Sequence, residues 1–246
     1  MTRTAPSAAP PVPHPLDGLT IVLPCLDEEA NVAAAVHAAT AVAERVARRH
    51  EIIVVDDGST DATASIAAEL ALHNPHLRLL RHGRNRGYGA ALRTGIAAAQ
   101  MPWLFLTDAD LQFDLDELRS FAALAADADL VVGWRIARHD PLPRRANAAA
   151  WNWLVRHTFD LGIRDVDCAF KLVRRDVTAH LDLTSDGATI STELLVKARA
   201  RGARIRQLGV HHRARAAGTQ SGARAKVVIR ALRELNDLHH ARPFAR

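Results

Sequence analysis

The sequence predicts an α/β protein built on a mostly parallel, Rossmann-like sheet with helices on both faces. Three observations lead to this prediction. Short apolar runs rich in Val, Ile and Leu recur along the chain, as they do in strands buried on both faces. Ala-rich segments of helical length separate these runs. Charged or glycine-containing turns lie between them, which is the strand-loop-helix alternation of a parallel sheet.

The first half of the chain alternates strands and helices regularly. Pro24 ends the first strand, and the acidic stretch 27–29 precedes the first helix, where the helix dipole favours negative charge. Residues 57–61 combine a turn with a helix N-cap signal, and 85–89 form a glycine-bearing loop. We therefore expect strands at 19–24, 51–56, 77–80 and 103–107, with helices ending near residues 49, 73 and 99.

The second half is less regular. We expect a helix at 116–126, a strand at 129–133, a mostly helical segment at 138–164, an apolar turn or strand within 165–175, a helix at 192–200, a strand at 204–210 and a last helix at about 222–240. The apolar stripe of the last helix fits either an anionic membrane surface or packing against the sheet. The predicted organisation is a disordered Pro/Ala-rich tail at 1–18, one domain at 19–221, and a C-terminal helix and tail at 222–246.

Length and composition exclude several classes of protein. With 246 residues, 48% of them hydrophobic, the chain can bury a sizeable core. We find no apolar run near the roughly 18 residues that a membrane span requires and no apolar core of a signal peptide. A cytoplasmic location is therefore expected. The two cysteines lack the spacing of a zinc site or a disulfide framework.

Charge is distributed unevenly along the chain. Residues 1–129 carry 10 basic and 17 acidic side chains, whereas residues 130–246 carry 22 and 10, so the second half has a net charge of +12. Such a half suits an anionic partner: a phosphorylated substrate, an anionic membrane surface or a nucleic acid. Aromatic residues make up only 4% of the chain, and no nucleic-acid-binding motif is present. We therefore expect no nucleic-acid partner.

The stretch 107–112 carries the strongest chemical signal. Asp108 and Asp110 emerge where a buried strand ends, and strand ends are where ligands bind in open α/β sheets. Two aspartates at this spacing can direct oxygen ligands at one divalent cation, and Gln112 offers a neutral oxygen nearby. The stretch can therefore form a metal site from Asp108, Asp110 and Gln112 that keeps positions open for phosphate oxygens. From this spacing alone a solvated acidic turn remains the alternative.

Taken together, these motifs resemble the family-2 inverting glycosyltransferases, and within them the polyprenol-phosphate glycosyltransferases of the dolichol-phosphate mannose synthase type. The resemblance runs from about residue 19 to 221. Its seven pieces occur in the family's order: Leu23–Glu29, Val54–Asp61, Asn85–Ala90, Asp108–Gln112, Gly133–Arg135, Asp165–Phe170 and Arg215–Gln220. Each piece alone is a weak signal, and the common order makes coincidence improbable.

The resemblance implies the GT-A (nucleotide-diphospho-sugar transferase) fold and a hexosyltransferase that uses a UDP- or GDP-sugar. Pro24, Glu28 and Asp57 match the nucleotide pocket, and Gly87 belongs to the loop that lets the backbone approach the nucleotide. Asp108 and its metal would hold the donor diphosphate. The cofactor implied is Mg²⁺ or Mn²⁺, which stabilises the charge of the departing nucleoside diphosphate.

The resemblance also implies a polyprenyl phosphate as the acceptor. Arg135, Arg144 and Arg215 match positions that contact phosphate groups in the family. A phosphate monoester is mostly dianionic at neutral pH, so it attacks without a base and needs cations to hold it. A hydroxyl acceptor would instead need a carboxylate base, for which Glu193 is the candidate. The residues assigned to catalysis are therefore Asp110, Arg135 and Glu193.

Two alternatives stay open from the sequence. One is an enzyme of the same fold that acts on a soluble hydroxyl acceptor, either a saccharide or a small metabolite. The other is a non-catalytic module that binds nucleotide sugars or docks on membranes. The chain departs from the mannose synthases at Asn147-Ala148, Asp165–Phe170 and Gln220-Ser221, which leaves the donor sugar open. A polyprenyl acceptor implies a peripheral position on the cytoplasmic membrane face, with a separate membrane protein as a further candidate partner.

Overall fold

The computed structural model describes residues 14–136, 142–214 and 225–240, with only the backbone of 142–148 and 225–229. Seven strands form one sheet in the order β3-β2-β1-β4-β6-β5-β7. The strands are β1 Leu19–Cys25, β2 His50–Asp56, β3 Leu77–Arg81, β4 Trp103–Thr107, β5 Leu130–Arg135, β6 Phe170–Arg174 and β7 Ile205–Val210. The helices are α1 Val32–Val46, α2 Thr63–His73, α3 Tyr88–Ala98, α4 Leu118–Ala123 after a 3₁₀ turn at Leu115–Glu117, α5 Leu142–Phe159, α6 Arg175–Thr178, α7 Ile190–Ala200 and α8 Ala225–His240.

The sheet is parallel except for β6, which confirms the predicted α/β class. Every residue of β1 is buried, and so is β2 after its first residue. Alternate side chains of β1 enter two separate cores, because successive residues of a strand point to opposite faces. Ile21 packs in the core beneath α1 and α4, and Val22 in the core beneath α3, α5, α7 and α8.

Strand β6 lies between β4 and β5 and runs antiparallel to both. Its first residue, Phe170, pairs with Thr107 at the end of β4, and Lys171 pairs with Val132 of β5. The sequence predicted an apolar turn or strand here, and the structure has a strand. Because β6 starts where β4 and β5 end, it brings the loop before it to the carboxyl edge of the sheet.

The predicted disordered tail at 1–18 extends too far along the chain. Leu16 is buried, and its backbone bonds to Val46 and Arg48 at the end of α1. The side chain of Leu16 packs in the core, and its backbone pairs with Ala47, so the ordered chain begins before the first strand. Residues 1–13 lie outside the described part of the chain.

The C-terminal helix packs on the domain through part of its apolar stripe. Leu235 and Leu238 are buried in the same core as Phe159 of α5, whereas Leu232 is 47% exposed. Val227 and Val228, which belong to the same predicted stripe, have no described side chains. Among the described residues, no helix has the length and apolar character needed to cross a membrane.

Candidate active site

Asp108 and Asp110 directly follow β4 at the carboxyl edge of the sheet. Leu111, next to them, has a φ of 57° in the left-handed region, which costs a non-glycine residue on the order of 1–3 kcal/mol. Asp110 Oδ1 accepts a hydrogen bond from the backbone N–H of Gln112 at 3.2 Å. The strained turn thus fixes Asp110 beside Asp108, as the sequence predicts for a pair of ligands.

The environment of Asp108 opposes its negative charge. Burial, and then the charge of Asp110, raise the pKa of Asp108 from 3.8 to about 7. A hydrogen bond from Tyr88 and the nearby cations Lys171 and Arg135 act in the opposite direction. A divalent cation at this position would replace repulsion between the two carboxylates by attraction to both.

One oxygen of this pair is placed to accept a ligand. Asp108 Oδ1 is buried and has no hydrogen-bond partner among the described residues, an arrangement that needs an explanation in a folded protein. Within the described ranges, no group of three or more His, Cys, Asp or Glu side chains could hold a metal ion by itself. The two carboxylates, one of them with a buried oxygen that lacks a described partner, are oxygen ligands that would fit a divalent ion such as Mg²⁺ or Mn²⁺ if a substrate supplied its other oxygens.

Gln112 is tied to the segment that follows β7. Its Nε2 donates to the backbone oxygen of Arg213 at 3.0 Å, and Arg213 N donates to the Gln112 backbone oxygen at 2.7 Å. With the nitrogen bound to Arg213, the oxygen is the end of the amide that a cation would contact. Gln112 therefore stays a predicted ligand.

Carboxylates at or just after the ends of β1, β2 and β4 converge around Cys25. Burial raises the pKa of the Cys25 thiol, and the negative charges of Glu28, Asp56 and Asp108 raise it further. Pro24 lies buried beside Cys25 in β1. The structure thus brings Pro24 and Glu28 to the same sheet edge as the aspartate pair, which is where the resemblance places the nucleotide pocket.

Glu28 and Asp57 are both bound to neighbouring loops. Glu28 Oε2 accepts a hydrogen bond from Asn31 Nδ2 at 2.7 Å. Asp57 accepts hydrogen bonds from the backbone N–H groups of Arg86 and Gly87 at 2.9 and 2.8 Å, and its Oδ1 lies 2.6 Å from His82 Nδ1. Asp57 therefore orders the loop before α3, and its contact with a nucleobase stays a prediction.

Gly87 is required by a contact within the protein. Its φ is 112°, and a Cβ at this position would lie 2.4 Å from the backbone oxygen of Asp186. Gly89 N donates to the same oxygen at 2.8 Å. The sequence predicted that this loop lets the backbone approach a nucleotide, whereas the close approach in the structure is to the segment before α7. A nucleotide contact of Gly87 stays a prediction.

Arg135 ends β5 and forms a two-pronged ion pair. Its Nε and Nη2 donate to Asp165 Oδ2 and Oδ1 at 2.7 and 2.8 Å, and 9% of each side chain is exposed. Burial lowers the pKa of Arg135, but the hydrogen bond and negative charge of Asp165 outweigh this effect and raise it. The guanidinium group is thus a fixed cation near Asp108. The resemblance also predicts phosphate contacts for Arg144 and Arg215. Arg215 and the side chain of Arg144 lie outside the described residues.

Glu193 lies buried in the first turn of α7. Its two oxygens accept hydrogen bonds from the backbone and hydroxyl of Thr184, the backbone of Ser185 and Nζ of Lys197, over 2.6–3.1 Å. Burial acts to raise the pKa of Glu193, but these bonds outweigh burial and lower it below 4.5. The carboxylate therefore braces the segment before α7, and its role as a base stays a prediction.

Lys171 is a charged residue of this site that the sequence reasoning missed. It is 2% exposed on β6, and its Nζ donates to the backbone oxygen of Cys168 at 2.5 Å and to Ser191 Oγ at 3.3 Å. Burial lowers the pKa of Lys171, and the negative charges of Asp165 and Asp167 oppose this effect. The sequence did contain a signal, a lysine inside the apolar run 170–173. A lysine in a buried strand needs a partner, because lysine is almost never fully buried unless it is paired.

Sequence comparison relates the chain to known glycosyltransferases. The family model described as Glycosyl transferase family 2 matches residues 20–181. An uncharacterised glycosyltransferase of Mycobacterium tuberculosis is 32% identical over 221 residues, covering 86% of this chain and 90% of the relative. A dodecaprenyl-phosphate galacturonate synthase of Rhizobium johnstonii is 32% identical over 173 residues, covering 68% of this chain and 51% of the relative.

Solved structures share the fold. Glucosyl-3-phosphoglycerate synthase from Mycobacterium tuberculosis in complex with UDP has a TM-score of 0.69 at 18% identity, over 92% of this chain and 80% of that one. The same enzyme with Mn²⁺, UDP-glucose and phosphoglyceric acid has a TM-score of 0.66 at 18% identity, over 91% and 76%. At this identity the likeness establishes the GT-A fold alone.

Proposed function

The chain belongs to glycosyltransferase family 2, and from this premise we propose that it transfers a sugar from a nucleoside-diphosphate sugar to a polyprenyl phosphate with inversion. Asp108 and Asp110 would bind the divalent metal, with Gln112 beside them. A metal held there would supply positive charge to neutralise the donor diphosphate as it leaves. Metal-bound complexes of the structural relative contain Mn²⁺ with UDP or UDP-glucose, which supports this cofactor and a uridine donor.

The hydrogen bonds of Glu193 are the observation that favours a phosphate over a hydroxyl as the acceptor. Hydrogen bonds from Thr184, Ser185 and Lys197 engage both of its oxygens, so proton abstraction would compete with the bonds that fix the segment before α7. A hydroxyl acceptor needs such a base, whereas a phosphate monoester at neutral pH does not. The polyprenyl-phosphate synthase among the relatives supports the same choice.

Cations at the site would hold the acceptor. Arg135 is fixed by Asp165 close to Asp108, and residues 130–246 carry a net charge of +12. In the transfer, an oxygen of the acceptor phosphate attacks the anomeric carbon opposite the leaving group. The bond from that carbon to the donor diphosphate breaks, and the nucleoside diphosphate leaves with the bonding electron pair. A polyprenyl acceptor lies in a membrane, so the proposal includes peripheral binding to it.

A soluble hydroxyl acceptor is the competing candidate. The observation in its favour is that the structural relative, a glucosyl-3-phosphoglycerate synthase, is solved with phosphoglyceric acid and not with a lipid. The lowered pKa of Glu193 does not add to it, because it makes the carboxylate a weaker base. Under this alternative, transfer would depend on Glu193 and would proceed without a lipid.

The test compares two lipids that differ in one group. Purified protein receives radiolabelled UDP- and GDP-sugars, Mn²⁺ or EDTA, and either polyprenyl phosphate or the corresponding polyprenol in detergent micelles. We expect acid-labile label in the lipid phase with the phosphate, none with the polyprenol, and loss of label with EDTA. The Asp110→Asn variant should lose transfer, whereas Asp116→Asn, whose side chain is 60% exposed, should retain it.

Two outcomes would contradict the proposal. Label in the polyprenol would show that the enzyme activates a hydroxyl. Release of nucleoside diphosphate with soluble saccharides, without lipid label, would favour the alternative and make Glu193 the base.

A further inference from the structure

Lys171 lies between the two parts of the site, the metal-binding aspartates after β4 and the Arg135–Asp165 pair. It belongs to the antiparallel strand β6, whose neighbours are β4, which leads to Asp108, and β5, which ends in Arg135. Across the β4–β6 pair its registered partner is Leu106, two residues before Asp108. A charged side chain on this central strand needs a reason, because burying an ammonium group is costly unless it is compensated.

The Lys171 side chain and Asp108 lie on the same face of the sheet. Leu106, Lys171 and Tyr88 line one small cavity, so the first two side chains point to the face covered by α3 and α7. Alternation along β4 directs the side chain two residues after Leu106 to that face as well. Tyr88, which lines the cavity, also bonds to Asp108. The ammonium group is therefore beneath the metal site.

Two contacts of Lys171 position the part of the site that contains the Arg135–Asp165 pair. Its Nζ bonds to the backbone oxygen of Cys168 and to Ser191 Oγ. The first contact anchors the loop at 165–169, whose first residue, Asp165, holds Arg135. The second contact joins this loop to the first turn of α7.

Solvent does little to screen this charge. Lys171 is 2% exposed, and the cavity that it lines with Tyr88 has a volume of about 10 Å³, which is room for one water molecule at most. Charges interact more strongly in such surroundings than in water. A fixed cation at this position would repel a divalent metal at Asp108 and attract an anionic diphosphate above it.

We propose that Lys171 is a positioning residue that keeps the metal weakly bound at Asp108 and Asp110 until the donor diphosphate arrives. This inference rests on the proposed metal-dependent transfer and adds an order of binding to it. Before donor binding, the ammonium charge opposes the metal. Once the diphosphate is present, the same charge stabilises the assembled complex. Metal and donor therefore bind cooperatively.

The test measures Mn²⁺ binding by the whole protein, first alone and then with saturating UDP or GDP, using the electron paramagnetic resonance signal of free Mn²⁺. Lys171→Met removes the charge at nearly constant volume. Without nucleotide we expect Mn²⁺ to bind roughly five- to tenfold more tightly to this variant than to the wild type. With nucleotide, the variant should bind Mn²⁺ no better than the wild type, so the enhancement by nucleotide shrinks by at least the same factor.

Lys171→Arg, which keeps the charge, should retain strong cooperativity. Arg174→Met is the matched control, because it removes one charge at the other end of β6, where Arg174 bonds to Asp176. It should leave Mn²⁺ affinity unchanged. If Lys171→Met does not fold, Lys171→Gln, which keeps a donor for the Cys168 oxygen, takes its place with the same expected result.

Weaker or unchanged Mn²⁺ binding by the uncharged variants, without nucleotide, would overturn the inference. Unchanged binding would show that the charge does not oppose the metal, and weaker binding would show that Lys171 only holds the site together. Failure of lipid labelling together with tighter Mn²⁺ binding in Lys171→Met would refute only the proposed acceptor. A wild-type protein that binds no Mn²⁺ under either condition would overturn both the inference and the proposed metal.

Discussion

Arg135 and Asp165 form a two-pronged ion pair at the carboxyl edge of the sheet, although 30 residues separate them in the chain. Both side chains are only 9% exposed. The carboxylate fixes the plane of the guanidinium group, and the pair joins the end of β5 to the loop before β6. The attraction between the two charges and their two hydrogen bonds offset part of the cost of burying a cation near Asp108.

Removing the partner of Arg135 should harm both stability and transfer. Asp165→Asn leaves a buried guanidinium without its counter-charge, which typically costs about 3–5 kcal/mol of unfolding free energy. Transfer should fall on the order of 100-fold, since Arg135 loses its fixed orientation. Urea unfolding and steady-state rates measure the two effects. Asp116→Asn, which breaks the exposed pair with Arg45, should change stability by less than about 1 kcal/mol. Equal effects of the two variants would contradict this account.

Substitution of Gly87 should strain the loop before α3. Gly87→Ala meets two penalties, a left-handed φ and a Cβ placed 2.4 Å from the Asp186 oxygen. We expect a loss of about 2–3 kcal/mol in unfolding free energy and a raised KM for the donor. Gly202→Ala is the control, because Gly202 also has a positive φ but a Cβ there would meet nothing within 4 Å. It should lose only about 1 kcal/mol. Similar losses in both variants would show that the Asp186 contact is unimportant.

The C-terminal helix offers a test of packing against exposure on a single element. Leu235 is buried, and Leu232 is 47% exposed on the same helix. Leu235→Ala should lower the free energy of unfolding by about 2–4 kcal/mol, because it leaves a cavity in the core shared with α5. Leu232→Ala should change it by less than about 0.5 kcal/mol. Urea denaturation of both variants measures the two changes in the free energy of unfolding. A larger effect at Leu232 would show that the helix packs through its other side.

The sequence predicted where these side chains lie in the fold better than it predicted their contacts. Asp108, Asp110 and Arg135 stand next to recognisable strands, so local pattern was enough to place them at the sheet edge. The contacts of Asp57 with residues 86 and 87 and of Glu193 with Thr184 depend on tertiary packing, which periodicity does not encode. The same limit explains the close approach of Gly87 to Asp186.

Two further differences have the same physical origin. The direction of β6 could not be predicted, because a five-residue strand with three apolar side chains can pair in either orientation. Lys171 escaped notice because a charge in sequence normally indicates exposure, and its apolar neighbours in the chain were too weak a signal to outweigh that expectation. Leu16 joined the core although composition alone favoured a disordered tail.

Glu193 provides a test of pH dependence that also separates bracing from base catalysis. The pKa of Glu193 is lowered in the folded protein by hydrogen bonds from Lys197 and residues 184 and 185, which outweigh burial. A depressed pKa means that its ionised form stabilises the fold. This contribution is complete at pH values above the unfolded value of about 4.5 and is lost as the pH falls through the lower folded value.

Glu193→Gln should therefore be less stable than the wild type at pH 7, and the difference should narrow as the pH falls below 4.5. Urea unfolding at pH 7 and in acid measures it. If Glu193 only braces the segment before α7, the folded variant should retain most of its kcat with polyprenyl phosphate, because that acceptor needs no base. A stable Glu193→Gln protein that has lost about 100-fold or more of its kcat would instead identify Glu193 as the base. A pH-independent stability difference would contradict the ionised, hydrogen-bonded carboxylate itself.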